Sequence, residues 1–337
     1  MGVRELFMTL LAVVALASCN VRRGTLPRSG GNPYEVTVVG DVDSIVYRAL
    51  STDMDGLPQS EPIFDVREAK VEPSEALDGV LRYARVLVVV DINPRKYSEV
   101  SLGVRHNVYA DPQVILVLCS PSSSALSDTA GGCTLGGFAD KVVGRLLAHE
   151  RSITIASMRR KHNPKMEAEV RRMFGFDMLI PPDMTSVKRG KDFLWVSNNS
   201  PTAMLNICVY GGSFSDRDSI MRVNIKGETD SMYMATVHGA CTVTYNCFGG
   251  FAEHDWRGLW EMHGDAMGGP LVARTILQGL GRRTPVTVEG FVYAPGRNKR
   301  NHVMLLEAVL QTVKKRGGSA QRCAETRRGG KKPVHGD

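Results

Sequence analysis

The amino-acid sequence predicts an α/β (α+β) fold, with an N-terminal α/β domain followed by an antiparallel β-meander domain that a C-terminal helix closes. The apolar run VLVVVD at residues 86–91 is typical of a strand that is covered on both faces. Apolar and polar residues alternate at 255–263, which indicates a half-buried strand. Residues 298–313 carry apolar side chains at helical spacing, which predicts the closing helix.

The first predicted domain covers residues 34–176 and alternates strands with helices. Strands are predicted at 35–41, 63–66, 86–91 and 114–118, and helices at 43–54, 74–83, 137–158 and 164–174. Gly175 supplies the left-handed cap that ends the last of these helices. Asp91 and Asn93 follow a buried strand, where α/β proteins place their sites, although many such side chains only cap the next turn.

The second predicted domain covers residues 177–315 and consists mainly of strands. These strands are predicted at 193–196, 205–210, 255–263, 271–277 and 285–293, before the helix at 298–313. The basic residues Arg297, Lys299 and Arg300 are expected to be hydrated at the start of that helix. The basic tail at residues 316–337 has too few apolar residues to fold, and we expect it to be disordered.

The composition is that of a globular protein. The chain has 337 residues, of which 43% are hydrophobic and 23% are charged, and a mean hydropathy of −0.13 excludes a protein that crosses a membrane many times. The net charge of +7 is located at the two ends of the chain, and the residues between them are nearly neutral. Because nucleic-acid binding requires a basic surface, we predict no nucleic-acid partner.

Residues 1–18 resemble a bacterial signal peptide. Arg4 precedes an apolar run at residues 6–16, which at about 1.5 Å per residue is too short to cross a hydrocarbon core of about 30 Å. The tetrad Leu16-Ala17-Ser18-Cys19 resembles a lipobox, which implies that the Cys19 thiol is acylated and that Cys19 becomes the new N-terminus. The alternative is a soluble secreted protein, cut near Ala17, in which Cys19 has no role.

Residues 19–33 are predicted to be a flexible tether behind the lipidated cysteine. By similarity to lipoprotein sorting rules, Asn20 in place of aspartate implies the outer membrane. Val21, Arg22 and Arg23 replace the acidic run that marks surface export in the Bacteroides group. The sequence therefore predicts a cell-envelope lipoprotein of the outer membrane that faces the periplasm, with the membrane as a partner through its N-terminal lipid (palmitate among its acyl chains).

Six further cysteines permit disulfides in an oxidising compartment without fixing any pairing. They are Cys119, Cys133, Cys208, Cys241, Cys247 and Cys323. Cys119 and Cys208 lie in apolar, strand-like runs, where buried free thiols are expected. Cys133 lies in a glycine-rich stretch before a predicted helix, where a lowered thiol pKa is physically possible, but the sequence places no base beside it.

Several motifs of the second domain resemble the DUF4837 family. They are RGLW at 257–260, GD at 264–265, MGGP at 267–270, GFVYAPG at 290–296 and KRN at 299–301, with LPQ at 57–59, EP at 61–62 and residues 193–196 upstream. The glycine-rich stretch at 131–137 and the basic tail depart from the pattern. The family consists of lipoproteins of Bacteroides-type bacteria with no known function, so the resemblance implies an envelope location and a domain plan but no activity.

The strand at 255–263 carries the candidate contact residues Trp256, Arg257, Trp260, Glu261 and His263, and Asp265 follows it. Glu261, His263 and Asp265 share one predicted face at alternate positions and are all metal-ligand types, but neighbours on a strand face point in parallel, so we predict a hydrated surface and no metal. Trp256 and Trp260 share the apolar face and are predicted to be core, with the lining of a ligand groove as the alternative.

Two functions remain open. The first is a non-catalytic lipoprotein that binds an envelope protein, a glycan or a lipid through its second domain. The alternative is a hydrolase or transferase acting on envelope components, with Asp91, Glu261, His263 and Asp265 as its candidate residues. The sequence has no GxGxxG, phosphate loop, GxSxG or HExxH motif, so it assigns no catalytic residue and no cofactor.

Overall fold

The computed structural model describes residues 25–127, 137–248, 251–277 and 284–315, without the side chains of 246–248, 251–253 and 315. The signal peptide, Cys19, the tether as far as residue 24, Cys133, Cys323 and the basic tail lie outside the described residues, as does the side chain of Cys247. Cys119, Cys208 and Cys241 are free thiols, and only Cys208 is fully buried. No helix in the described part of the chain is both long and apolar enough to cross a membrane.

The mixed α+β composition that the sequence predicts is confirmed. The strands are β1 (Glu35–Val39), β2 (Asp65–Ala69), β3 (Val86–Ile92), β4 (Ser101–His106), β5 (Val114–Ser120), β6 (Phe176–Asp177), β7 (Ser186–Gly190), β8 (Phe193–Ser197), β9 (Met204–Gly211), β10 (Tyr233–Thr236), β11 (Thr242–Phe248), β12 (Phe251–His263), β13 (Gly268–Ile276), β14 (Val286–Tyr293) and β15 (Lys314–Lys315). The α-helices are α1 (Ile45–Leu50), α2 (Ser124–Ser127), α3 (Phe138–Arg160), α4 (Pro164–Phe174), α5 (Arg217–Asn224) and α6 (Arg300–Leu310).

The chain divides into two compact units. Among the described residues, the first contains residues 25–43 and 67–126, and the second contains residues 44–66 and those from 127 onward. The segment 44–66 and the helices α3 and α4, which the sequence places in the first domain, therefore have their contacts in the second unit. The reason is helix packing, because α3 contacts both α1 and α6.

The first unit is built on a five-stranded sheet with the order β2-β1-β3-β5-β4. β1, β3 and β5 are parallel, and β4 is antiparallel to β5. Val86 to Val90 are all buried, as expected for a strand covered on both faces. The helix predicted at 74–83 is wrong, because only Val80–Tyr83 form a 3₁₀ turn behind the extended Gly79.

The second unit is built on an eight-stranded antiparallel sheet with the order β10-β12-β13-β14-β9-β8-β7, in which β11 also pairs with β12. The predicted meander is confirmed by the consecutive pairing of β12, β13 and β14. Helix α6 packs on β13 and β14, where a Cβ on Gly290 would lie 2.8 Å from the Leu306 Cβ. α5 contacts β10, and α4 ends at Gly175, whose φ of 82° matches the predicted cap.

The N-terminus of α6 is held by a carboxylate from the segment 44–66. Glu61 accepts the backbone N–H of Lys299 at 2.7 Å and that of Arg300 at 3.0 Å. The Arg300 guanidinium donates to both oxygens of Asp65, at 3.1 and 2.7 Å, and to the Pro62 carbonyl at 2.9 Å. The prediction that Lys299 and Arg300 are hydrated is therefore wrong, because both are buried in this contact.

Trp260 belongs to the hydrophobic core of the second unit, as its face of β12 predicts. It is 2% exposed and packs with Phe291, at a centroid distance of 5.3 Å. Its indole Nε1 donates to the Val292 carbonyl at 3.2 Å, so its one polar atom is satisfied within the core.

We predict that Trp260→Ala lowers the free energy of unfolding by about 3–5 kcal/mol, because a large buried side chain is lost and a cavity remains. Glu261→Ala is the matched control, since this neighbouring side chain is exposed, and it should change the value by less than about 0.5 kcal/mol. Denaturant titration of the full-length variants gives both numbers. Equal costs for the two variants would show that the faces of β12 are wrongly assigned.

Candidate functional site

The structure confirms the two faces of the second half of β12. Trp260 and Met262 are buried, whereas Glu261 and His263 are exposed. Trp256 is partly buried and stacks on Phe214 with ring centroids 4.6 Å apart. The two tryptophans therefore pack in or against the core, and Trp256 also contributes to the lining of a cleft, which was the alternative for these residues.

The sequence predicts that Asp265 shares a strand face with Glu261 and His263, but in the structure it does not. β12 ends at His263, and Gly264 turns the chain with a φ of 82°, so Asp265 lies in the hairpin turn. There its carboxylate accepts the Ala266 N–H at 2.6 Å. The His263 ring stacks on Tyr233. Within the described ranges, no three His, Cys, Asp or Glu side chains converge as a metal site would require.

Asp91 belongs to the first unit, whereas the other acidic candidates belong to the second. Its carboxylate accepts the Tyr97 hydroxyl at 2.5 Å and the Lys96 ammonium at 2.9 Å. The Tyr97 hydrogen bond is the main reason that the pKa of Asp91 lies below its ordinary value, and the same bond raises the pKa of Tyr97 to about 12. Asn93 caps the following turn by accepting two backbone N–H groups. Asp91 is therefore an ionised structural group, unsuited to donate a proton.

The second unit contains a cleft of about 500 Å³, which lies within the usual range of small-molecule sites. Four parts of the unit line it: one face of β11, β12 and β13, helix α6, helix α3 and the segment at residues 52–63. The sheet contributes two rows of facing residues. The strand register aligns Thr244, Asp255 and Arg274 in one row, and Thr242, Arg257 and Val272 in the other.

The floor of the cleft is a bidentate ion pair. Arg274 is 2% exposed, and its Nε and Nη2 donate to the two carboxylate oxygens of Asp255 at 2.7 and 2.9 Å. Nη1 of Arg274 donates to the Leu310 carbonyl at 3.2 Å, in the last turn of α6. The guanidinium thus holds the sheet and the C-terminal end of the helix together.

Arg257 forms the wall beside this floor. Its Nη2 pairs with the Glu307 carboxylate of α6, and its Nη1 donates to the Asp55 carbonyl at 3.3 Å. Gly56 has a φ of +73° and approaches so closely that a Cβ there would lie 2.6 Å from the Arg257 Cγ. Arg257 was a candidate on the polar face of the strand, and the structure places it in the cleft because α6 covers that face.

Arg151 is the third arginine of the lining and lies on α3, one turn after Leu147. It is partly buried, and it has no hydrogen bond or ion pair with any residue that the structure describes. Two carboxylates, Asp53 and Asp55, lie in the exposed segment at the opening, and the Asp53 carboxylate accepts the Ser60 hydroxyl at 2.5 Å. Sequence patterns did not predict this cleft, because its residues come from four distant segments.

A second charged group lies on the opposite face of the sheet and is closed to solvent. Arg217 donates to both carboxylate oxygens of Glu289, at 2.9 and 2.8 Å, and these side chains are 1% and 0% exposed. Tyr210 donates to Glu289 at 3.2 Å, and burial raises the pKa values of Tyr210 and Cys208 well above their ordinary values. This group is structural, since a ligand has no access to it.

We predict that Asp255→Asn lowers the free energy of unfolding by about 2–3 kcal/mol, because the buried Arg274 keeps its charge and loses its counter-ion. The cost is below that of a fully buried pair, since the Asp255 side chain is 28% exposed. Asp230→Asn, which breaks the exposed pair with Lys226, should cause no measurable change in the same denaturant titration. A neutral Asp255→Asn would show that the pair does not hold α6 to the sheet.

Comparison with known families divides the chain into two matched regions. Residues 163–312 match the domain of unknown function DUF4837, and residues 29–159 match a second domain of unknown function, DUF8532. The upstream motifs at 57–62 thus lie in the region that matches DUF8532. No curated protein matches the chain. The resemblance that the sequence motifs predict is confirmed for the second region, since residues 163–312 match the DUF4837 family.

Proposed function

We propose that this protein is an envelope lipoprotein, anchored by Cys19, that binds a small polar ligand in the cleft without converting it. The anchor rests on the lipobox-like tetrad at residues 16–19 and on the resemblance to lipoproteins of Bacteroides-type bacteria. By the sorting rules, Asn20 and the two arginines after it favour the outer membrane and a periplasmic orientation. The binding role rests on the cleft.

The observation that carries the binding role is the internal pairing of charges in the cleft. Both oxygens of Asp255 accept hydrogen bonds from Arg274, and the Glu307 carboxylate is paired with Arg257. A general acid or base must exchange a proton with its substrate, and a carboxylate held by a guanidinium is poorly placed to do so. The same pairs hold the side chains of the lining in fixed positions, which favours the binding of a rigid ligand.

The lining favours a glycan over the other partners that the sequence left open. An acyl chain requires a continuous apolar cavity, whereas charged groups and the hydroxyls of Thr52, Thr242 and Thr244 interrupt the apolar side chains that line this cleft. A protein partner buries about 800 Å² of each surface, for which a cleft of this volume is unsuited. Hydroxyl, amide and charged side chains are the partners that sugar hydroxyls need.

We predict that Cys19→Ala releases the protein from the membrane fraction or leaves the uncleaved precursor, because acylation requires the thiol. Fractionation of cells, with mass spectrometry of the N-terminus, measures both results. Ser18→Ala, which keeps a small residue before the cysteine, is the matched control and should leave the protein in the membrane fraction. Normal processing and membrane retention of Cys19→Ala would contradict the anchor.

We predict that Thr244→Trp abolishes glycan binding, because it places a large ring in the cleft from an exposed position on β11. Tyr245→Trp is the matched control, since Tyr245 is the next residue, 71% exposed and outside the lining. Ligand-observed NMR of the full-length variants with soluble glycan fragments from the cell envelope measures binding. Binding unaffected by Thr244→Trp would refute the cleft as the site, and released products would favour the hydrolase or transferase.

A further inference from the structure

We infer that the ligand of the cleft is a saccharide that carries a carboxylate, and that Arg151 binds this carboxylate. The inference rests on the proposed function and names the class of ligand. Its basis is the difference between Arg151 and the two other arginines of the same lining.

The guanidinium groups of Arg257 and Arg274 are already neutralised. Arg274 donates to Asp255 and to a backbone carbonyl, and Arg257 donates to Glu307 and to another carbonyl. Neither has the fork of free N–H groups that a carboxylate engages. These two arginines therefore shape the cleft and are unsuited to attract an anion into it.

Arg151 is different because no hydrogen bond or ion pair links it to any other described residue. It projects from a helix of 23 residues, so its backbone position is fixed, and it is partly buried in the lining. A guanidinium stays charged at every physiological pH and matches a carboxylate with two parallel hydrogen bonds. The lining thus presents one rigidly mounted cation without a counter-ion among the described residues.

The carboxylates at the opening do not cancel this charge. Asp53 and Asp55 are exposed, so water and salt screen them more strongly than the partly buried Arg151. Asp53 also accepts the hydroxyl of Ser60. If the two carboxylates dominated the electrostatic field of the cleft, the cleft would favour a cationic sugar. The experiment therefore includes a cationic sugar among its probes.

The remaining polar groups of the lining suit the uncharged part of such a ligand. Thr242 and Thr244 lie on alternate positions of β11, and Gln311 follows the end of α6. Hydroxyl and amide groups both donate and accept hydrogen bonds, as ring hydroxyls require. A carboxylate on Arg151 would fix the orientation of the sugar relative to these groups.

The test uses three matched probes, D-glucuronic acid, D-glucose and D-glucosamine, with the full-length protein in detergent. Saturation-transfer NMR titrations give a Kd for each probe. Glucuronic acid should bind at least about tenfold more tightly than glucose, since a hydrogen bond to a charged group is stronger than a neutral one. Arg151→Gln should reduce this preference to less than about twofold. Arg145→Gln, on the same helix but exposed and outside the lining, should preserve it.

Equal affinity for glucuronic acid and glucose, tighter binding of glucosamine, or a preference that survives Arg151→Gln would each overturn the inference. The failure of the proposed function has a different signature. If neutral envelope glycans bind and Thr244→Trp abolishes their binding, the cleft is a glycan site and only the acidic ligand is refuted. If no saccharide binding depends on residue 244, both are refuted.

Discussion

The capping of helix α6 by Glu61 is the interaction on which the second unit depends. One carboxylate accepts two backbone N–H groups at the N-terminus of the helix, where negative charge is also favoured by the helix dipole. The ion pair between Arg300 and Asp65 is a second link between the helix and the same segment. Residues 52–56 belong to the same segment and precede Glu61. The contact between Glu61 and the helix therefore also positions Asp55 and Gly56 against Arg257. The positions of Arg257 and of the segment at the opening of the cleft therefore depend on the contacts at the N-terminus of α6.

Several of the sequence motifs are the two ends of such contacts. Glu61-Pro62, in the region that matches DUF8532, meets Lys299-Arg300 in the region that matches DUF4837, and the Trp260 indole donates to the Val292 carbonyl. This explains why the motifs predict a fold so well and an activity so poorly. The cleft, however, combines the two matched families, since Arg151 belongs to the region that matches DUF8532 and Arg257 to DUF4837. Neither region alone contains the whole lining.

The sequence correctly predicted the structural features that hydrophobic periodicity and turn residues determine. It did not predict the features that depend on tertiary contacts. The alternation at β12 correctly separated Trp260 from Glu261, and Gly175 correctly ended α4. Alternation shows which residues share a face, but it does not show whether another element covers that face. The sequence therefore predicts that Asp255 and Arg257 lie on the polar, exposed face of the strand. Only the structure shows that α6 covers this face. Exposed strands such as β4 carry no clear apolar alternation, and this strand was not predicted.

The polarity of the cleft follows from the unequal distance between α6 and the strands beneath it. At β14 the helix approaches closely because Gly290 has no side chain, so Leu306 packs directly on the backbone. Toward β12, the long side chains of Arg257 and Arg274 span the gap to Glu307 and to the Leu310 carbonyl. Charged side chains of this length are stable only where they are paired or reach water. The helix that covers an apolar core at β14 thus leaves a charge-lined space toward β12, and Arg151, which has no hydrogen bond or ion pair among the described residues, lies in the lining of that space.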